Sequence, residues 1–238
     1  MSTDPLASIL AGATVDDAVY ALRPDYRALL IAVDGIEPAA NAAAADTVVR
    51  RAEHSARKAL AGRPVEEVPH VAAWRDAYRA FGAKPQRTRH SLEALMRRAP
   101  DGLPRVNLLT DIYNAISVLH QVPVGGEDLS RYAGPPRLIR ATGREPFDTV
   151  ASGEPVIEHP EPGEVVWCDD EGVTCRRWNW RQARRTALRQ DTASALFIID
   201  ALDPMTDGEL AAAANDLAAQ LRLGPRVRIA QRLLRAGG

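Results

Sequence analysis

The sequence predicts an α+β fold, a layered sandwich of mixed β-sheets with helices. Amphipathic helical segments dominate the first half of the chain, and alternating apolar residues broken by Pro and Gly follow from Val122 to Arg177. Strands and helices do not alternate regularly, which argues against a doubly wound parallel sheet. The 238 residues are expected to form a single domain over 1–238, with a helical N-terminal part and an Arg-rich C-terminal tail. No internal repeat or low-complexity linker divides them.

Ala28 to Val33 reads Ala-Leu-Leu-Ile-Ala-Val and ends in Asp34-Gly35, as a buried strand closed by a turn does. A helix is expected over Asn41–Ala61, with Val48, Val49, Ala52, Ala56 and Leu60 on one side and Gly62 and Pro64 as its stop. His70 to Phe81 places Val71, Trp74, Tyr78 and Phe81 on one face, with Arg75 and Arg79 facing elsewhere and Gly82 as terminator. Ser91 is the expected cap of a short helix to Arg98. From Asn107 to His120 the spacing of Leu108, Ile112, Ala115, Ile116 and Leu119 gives an amphipathic helix with Asp111 and Asn114 on its polar side. Val165–Trp167 and Val173–Arg177 should pair as a hairpin, and Ala195–Ile199 is another buried strand. Thr206 caps a helix expected over Asp207–Leu223, and the tail after Pro225 reads as a short strand or a frayed helix.

The net charge of −1 excludes a uniformly basic nucleic-acid binder, but the charges are unevenly placed. Glu145 to Glu171 holds nine carboxylates and no Lys or Arg, whereas Arg176 to Arg189 holds six arginines and no acid. Such a run is either a solvated face or a binding face. Cys168 and Cys175 would face each other across a hairpin turning at Glu171-Gly172, and free thiols are expected in a cytoplasmic protein. The start Met1-Ser2-Thr3-Asp4-Pro5 lacks an export signal, and no apolar run reaches the ~18 residues of a membrane span. The five histidines carry no ligand spacing, so neither metal nor cofactor is expected.

The stretch NLLTDIYNAISVLHQVPVGGEDLSRYAGPPRLIRATGRE, residues 107–145, resembles the core of the B3/B4 editing region of phenylalanyl-tRNA synthetase β subunits. The matching positions are Asp111, Asn114, Pro123, Asp128, Gly134, Arg140 and Glu145. Upstream, Trp74 through Phe81 and Pro85 to Ser91, Glu93 and Arg97 resemble the free-standing branch of that family, as do Cys175-Arg176-Arg177-Trp178-Asn179 downstream. The resemblance spans about residues 20–222 and implies a layered α+β sandwich with an editing pocket. Three positions depart from the family pattern. Gly125 stands where the family has a His, Tyr113 replaces a Thr, and Arg177-Trp178-Asn179 stands where the family has a Gly-Gly-Glu segment that supplies a carboxylate.

What the resemblance implies is a trans-acting hydrolase of mischarged aminoacyl-tRNA, or a non-catalytic module that binds a tRNA 3′ end or a free amino acid, with neither DNA nor membrane as partner. A weaker alternative is a scaffold whose pocket binds nothing specific. An aminoacyl ester needs no strong nucleophile, only a placed water and donors aimed at the oxyanion. The candidate catalytic residues are Asn114, Gly125, Gly126 and Asn179, with the two glycines bringing backbone N–H groups close to a carbonyl. Their plainer reading is a Gly-Gly turn and a satisfied buried amide. The substrate-pocket candidates are Asp111, Tyr113, Asp128, Glu145, Arg177 and Trp178, the aromatics serving either as core or as a platform for adenine. Arg75, Arg79, Lys84, Arg87, Arg181, Arg184 and Arg185 are the candidate phosphate contacts. The sequence carries no signal of oligomeric state.

Overall fold

The computed structural model describes residues 4–38 and 44–237. Its strands are β1 (Thr14–Val15), β2 (Arg27–Asp34), β3 (Val124–Asp128), β4 (Arg137–Arg140), β5 (Phe147–Ala151), β6 (Glu154–Glu158), β7 (Val165–Cys168), β8 (Val173–Arg176), β9 (Arg181–Gln182), β10 (Ser194–Ala201) and β11 (Arg228–Arg235). Its helices are α1 (Pro5–Ala11), α2 (Asp17–Tyr20), α3 (Ala44–Ala59), α4 (Pro69–Ala80), α5 (Ser91–Arg98), α6 (Leu108–His120) and α7 (Asp207–Gln220). The mixture is α+β. Among the described residues no helix is long and apolar enough to cross a membrane.

One sheet has the order β11-β2-β10-β3, a second β1-β4-β7-β8-β9, and β5 and β6 form a separate pair. The period-2 alternation of strands explains why β2 is apolar throughout: Leu29, Ile31 and Val33 face one core, while Ala28, Leu30 and Ala32 face the other. Residues of α3, α5, α6 and α7 fill the first core. The second holds Trp74 and Tyr78 of α4 with Trp167 of β7 and Trp178. Trp178 meets Trp74 edge-on with ring centroids 5.2 Å apart, and Tyr26 at 4.9 Å. Each such pair adds roughly 0.5–1.5 kcal/mol beyond its buried area.

Local signals explain most boundaries. Gly35, Gly62 and Gly82 adopt positive φ where the expected elements stop. Thr206 and Glu209 form a reciprocal capping box at the start of α7. The Asn107 side chain caps α6 by accepting from the Thr110 N–H at 2.9 Å. The expected start of the helix at Asn41 lies outside the described residues.

Several expectations need correction. His90, not Ser91, caps α5: burial pushes its imidazole down to about 3, and the neutral ring accepts from the Glu93 N–H at 3.3 Å. Arg75, expected off the aromatic face and among the phosphate contacts, is instead engaged within the fold, its guanidinium binding the buried Glu93 carboxylate at 2.8 Å. Cys168 and Cys175 are free and do not oppose each other: a register shift places Cys168 against Val173 and Cys175 against Trp167. α7 ends at Gln220 rather than Leu223, whose carbonyl instead accepts from the Glu37 N–H at 2.9 Å. The tail is a strand, eight residues of β11 paired antiparallel with β2. α1 and α2 fall in the N-terminal part expected to be helical, though neither was located individually, and β1 had no counterpart in the sequence pattern.

Candidate functional site

A cavity of about 230 Å³ opens between the two larger sheets. Its floor comes from β3 and β10, where Gly125 pairs with Ile198, and Glu127 and Asp200 flank that pair. Tyr113 and Asn114 of α6 enter from one side, and Ser91, Ala94 and Leu95 of α5 from another. Trp167, Cys175, Trp178, Asn179, Arg181 and Gln182 complete the wall.

Two consecutive non-glycine residues in the left-handed region, Arg177 at φ 49° and Trp178 at φ 67°, deliver Asn179 to the cavity. Each costs on the order of 1 kcal/mol, and such strain persists only when its surroundings hold it. Here the Arg177 N–H donates to buried Glu164 at 3.1 Å and the Trp178 N–H to the Val165 carbonyl at 2.6 Å, while the Trp178 ring is locked in the aromatic core. Asn179 is then fixed at both ends. Its carbonyl oxygen accepts from the Tyr78 hydroxyl at 3.1 Å, and its amide donates to Asp200 at 3.4 Å. The Tyr26 hydroxyl donates to the other Asp200 oxygen at 2.5 Å.

Asn114 is different. It is 8% exposed, and its side chain has no hydrogen-bond partner among the described residues. Glu127, 2% exposed, accepts from the Tyr132 hydroxyl through one oxygen, while its Oε1 is buried without a partner. Burial raises both acids: Glu127 to about 7, against the bond of Tyr132 and the influence of the nearby Thr174 hydroxyl, and Asp200 to about 7, against the bonds of Tyr26 and Asn179. Among the described residues neither acid has an ion-pair partner. Arg181 lines the same cavity, but its guanidinium donates to Thr149 and to the Val150 carbonyl.

Gly125 and Gly126 lie in strand β3, not in a turn. The Asp200 N–H to Pro123 carbonyl bond, 3.1 Å, sets the phase of the ladder, so the Gly125 N–H is spent on Ile198. The Gly126 carbonyl points off the sheet edge and accepts from Gln182 Nε2 at 2.9 Å. Gly126 lies behind the cavity wall, where a Cβ would come within 2.8 Å of Tyr113 and of Phe197. A Cβ on Gly125 would meet only Gln182 Nε2, at 3.2 Å.

Of the expected site residues, the fold brings Asn114, Gly125, Asn179, Tyr113, Trp178 and Arg181 to this one cavity. The others serve their own neighbourhoods. Asp111 accepts from the Val106 N–H at 2.8 Å. Asp128 accepts from the Ser130 N–H and from Thr192, and Glu145 gathers the N–H groups of Thr142, Gly143 and Arg144. Arg177 stacks over Trp180 at 4.5 Å and donates to Thr88. Arg79 pairs with Asp76, Arg184 with Asp148, and Arg185 with Asp169 and Glu171. Lys84 is exposed and lies outside the cavity lining.

Arg87 belongs to an open groove beside the cavity, with Arg89, Arg97, Arg98 and Trp180. Ser91, Ala94 and Trp180 line both spaces, so the groove adjoins the cavity at these three residues. Arg97 is held by Glu93 and Glu66, and Arg89 lies 3.7 Å from Glu93. Arg87 and Arg98 have no ion-pair partner among the described residues. Sequence reasoning missed Arg89, Arg98, Glu127 and Asp200. The available signal for Asp200 was an acid closing the apolar run Ala195–Ile199. Among the described residues no group of three or more His, Cys, Asp or Glu is arranged to hold a metal ion.

The sequence model of the B3/4 domain matches residues 73–219. No curated protein matches the chain. Among solved structures, the chain is similar to the crystal structure of an N-terminal fragment of the phenylalanyl-tRNA synthetase beta-subunit from Pyrococcus horikoshii, at 10% identity and a TM-score of 0.48. The similarity covers 91% of this chain and 49% of that one, so the chain spans about half the length of the fragment.

Proposed function

The chain belongs to the B3/4 domain family, and from that premise we propose that it is an aminoacyl-tRNA deacylase acting on mischarged tRNA. The aminoacyl ester occupies the cavity, and phosphates of the tRNA 3′ end lie in the arginine groove. The observation that carries this reading is the adjacency of the two spaces, which share Ser91, Ala94 and Trp180 in their linings. A small half-open chamber beside a more open cationic groove fits a ligand with a compact head and an anionic body.

The chemistry asks little of the protein. The ester is already activated, so a positioned water and one preorganised donor suffice, such a donor contributing roughly 3–4 kcal/mol to the transition state. Asn114 is the residue free to act, since its amide has no other partner among the described residues. A vicinal ribose hydroxyl of the substrate assists proton transfer. Tyr113 and Trp178 shape the pocket for the amino-acid side chain.

One observation favours a second reading, a receptor that binds tRNA or an amino acid without turnover. Asn179, the other candidate amide, is committed to Tyr78 and Asp200 and acts as a fixed wall. The test is the deacylation rate of a panel of mischarged tRNAs with the wild-type protein and with Asn114→Ala. Acceleration on at least one ester, lost on substitution while tRNA binding persists, supports the hydrolase. Tight tRNA binding without acceleration on any ester selects the receptor, and absence of both defeats the two readings together.

A further inference from the structure

The cavity holds two acids and one arginine, Arg181, whose guanidinium is bonded to Thr149 and Val150, whereas the groove is lined by four arginines. Glu127 and Asp200 are the acids of the enclosed floor, and neither is paired with a cation among the described residues. They do not act as one carboxylate pair. Glu127 stands opposite Leu196 and Asp200 four residues further along β10, roughly 13 Å at the rise of a strand. The asymmetry lies in their hydrogen bonds. Each Asp200 oxygen already accepts a bond, from Tyr26 or Asn179, whereas Glu127 Oε1 is a buried acceptor with no donor. A buried oxygen left in this condition costs about 1–3 kcal/mol, a penalty that a bound donor would remove. The unpartnered Asn114 amide, also more than nine-tenths buried, faces the same space. Outside, Arg87, Arg89, Arg97 and Arg98 line the groove around a single buried acid, Glu93.

We infer that the cavity takes a ligand by a free ammonium group, received by Glu127 Oε1 beside Asn114, while the arginine groove takes a phosphate of the same molecule. The inference rests on the reading that the aminoacyl end enters the cavity, and it specifies the substrate class: aminoacyl esters with a free amino group are accepted, and their N-acylated or peptidyl counterparts are rejected. An N-acyl group brings no positive charge to Glu127, and that missing charge is the ground of the discrimination. Because burial holds the Glu127 carboxyl near 7, an arriving cation ionises it at neutral pH at little cost. Asp200, saturated by Tyr26 and Asn179, positions Asn179 and is not the receiving acid.

The test uses hydrolysis-resistant probes, 3′-amide-linked aminoacyl-adenosine 5′-phosphates carrying each of the twenty amino acids, in free-amine and N-acetyl forms. Binding is read from the fluorescence of the cavity tryptophans. The best free-amine probe is expected to bind at least tenfold more tightly than its N-acetyl form. Glu127→Gln is expected to abolish that ratio while keeping the N-acetyl affinity, which also certifies that the variant is folded. Arg98→Ala, or removal of the 5′-phosphate, is expected to weaken both forms equally. Equal binding of the two forms, a ratio unchanged by Glu127→Gln, or no binding by any probe would overturn the inference. Hydrolysis separates the two claims: if N-acetyl and free-amine esters are cleaved equally fast, this inference fails and the deacylase stands. If free-amine probes bind selectively but no ester is cleaved, the deacylase fails and the ammonium site stands.

Discussion

Gly126 and Tyr113 are in such close contact that a Cβ on the glycine would lie 2.8 Å from the tyrosine ring. Phe197 at 2.8 Å and Leu188 at 2.9 Å close the other directions, so the methyl has no free space to enter. Gly126→Ala is therefore expected to destabilise the fold by about 1–3 kcal/mol, the usual cost of overpacking. It should also displace Tyr113, and with it the cavity wall. Urea denaturation measures the first effect; an unchanged midpoint would contradict the packing argument.

The adjacent glycine behaves differently. A Cβ on Gly125 meets only Gln182 Nε2, at 3.2 Å, and a longer side chain projects into the cavity. Gly125→Leu should leave stability within about 1 kcal/mol of wild type, since it fills space rather than displacing backbone. Ligand binding should fall by at least tenfold. Substantial unfolding, or undiminished binding of the free-amine probes, would show that the cavity is not where the ligand sits.

Glu127 and Asp200 give stability a pH dependence of defined sign. Both carboxyls are raised in the folded state, to about 7, from ordinary values of 4.5 and 3.8. Below about 4 they are protonated whether folded or unfolded and have no effect. Between about 4 and 7 the unfolded chain releases protons that the fold retains, so stability falls as pH rises, and above about 7 the full penalty applies. Each shift corresponds to on the order of 3 kcal/mol. The groups facing Glu127 are Tyr132, Thr174, Asp169 and Arg185; those facing Asp200 are Tyr26, Asn179 and Trp167. The double variant Glu127→Gln, Asp200→Asn should gain stability relative to wild type progressively from pH 4.5 to 8. A difference that stays constant across that range would contradict the shifts.

Arginines that look alike in the sequence should separate sharply on substitution. Arg75→Ala leaves the fully buried Glu93 carboxylate short of a partner and should cost about 3–5 kcal/mol, reduced by whatever Arg97 retains. Arg98→Ala removes a guanidinium with no ion pair and should leave stability within about 0.5 kcal/mol. It should, however, lower the slope of log affinity for tRNA against log salt by about 1. Thermal denaturation and salt-dependent binding distinguish the two.

The elements defined by local periodicity were the most legible. Trp74 and Tyr78, one helical turn apart, announced the buried face of α4, and the uninterrupted apolar run of β2 announced a strand covered on both faces. Asn114 and Asn179 meet at one cavity as motif order implied, whereas Gly126, expected with them, lies behind the wall and only its neighbour Gly125 reaches the lining. Glu127 and Asp200 were invisible because their direction depends on strand parity and register, which only the partner strands fix. Asp111, Asp128 and Glu145 illustrate the converse: each accepts from nearby backbone N–H groups, and a turn-capping carboxylate has the same sequence appearance as one in a site. The left-handed Arg177-Trp178 pair was equally hidden, since neither residue type favours that region.

The most direct test of the central claim, that the charged end of an aminoacyl-tRNA enters this cavity, compares affinities for tRNA bearing a hydrolysis-resistant amide-linked amino acid and for the same tRNA uncharged. The wild-type protein should prefer the best charged tRNA by at least tenfold. In Gly125→Leu the preference should vanish while uncharged tRNA binds as before. Equal affinity for charged and uncharged tRNA in the wild type, across all amino acids, would contradict the account.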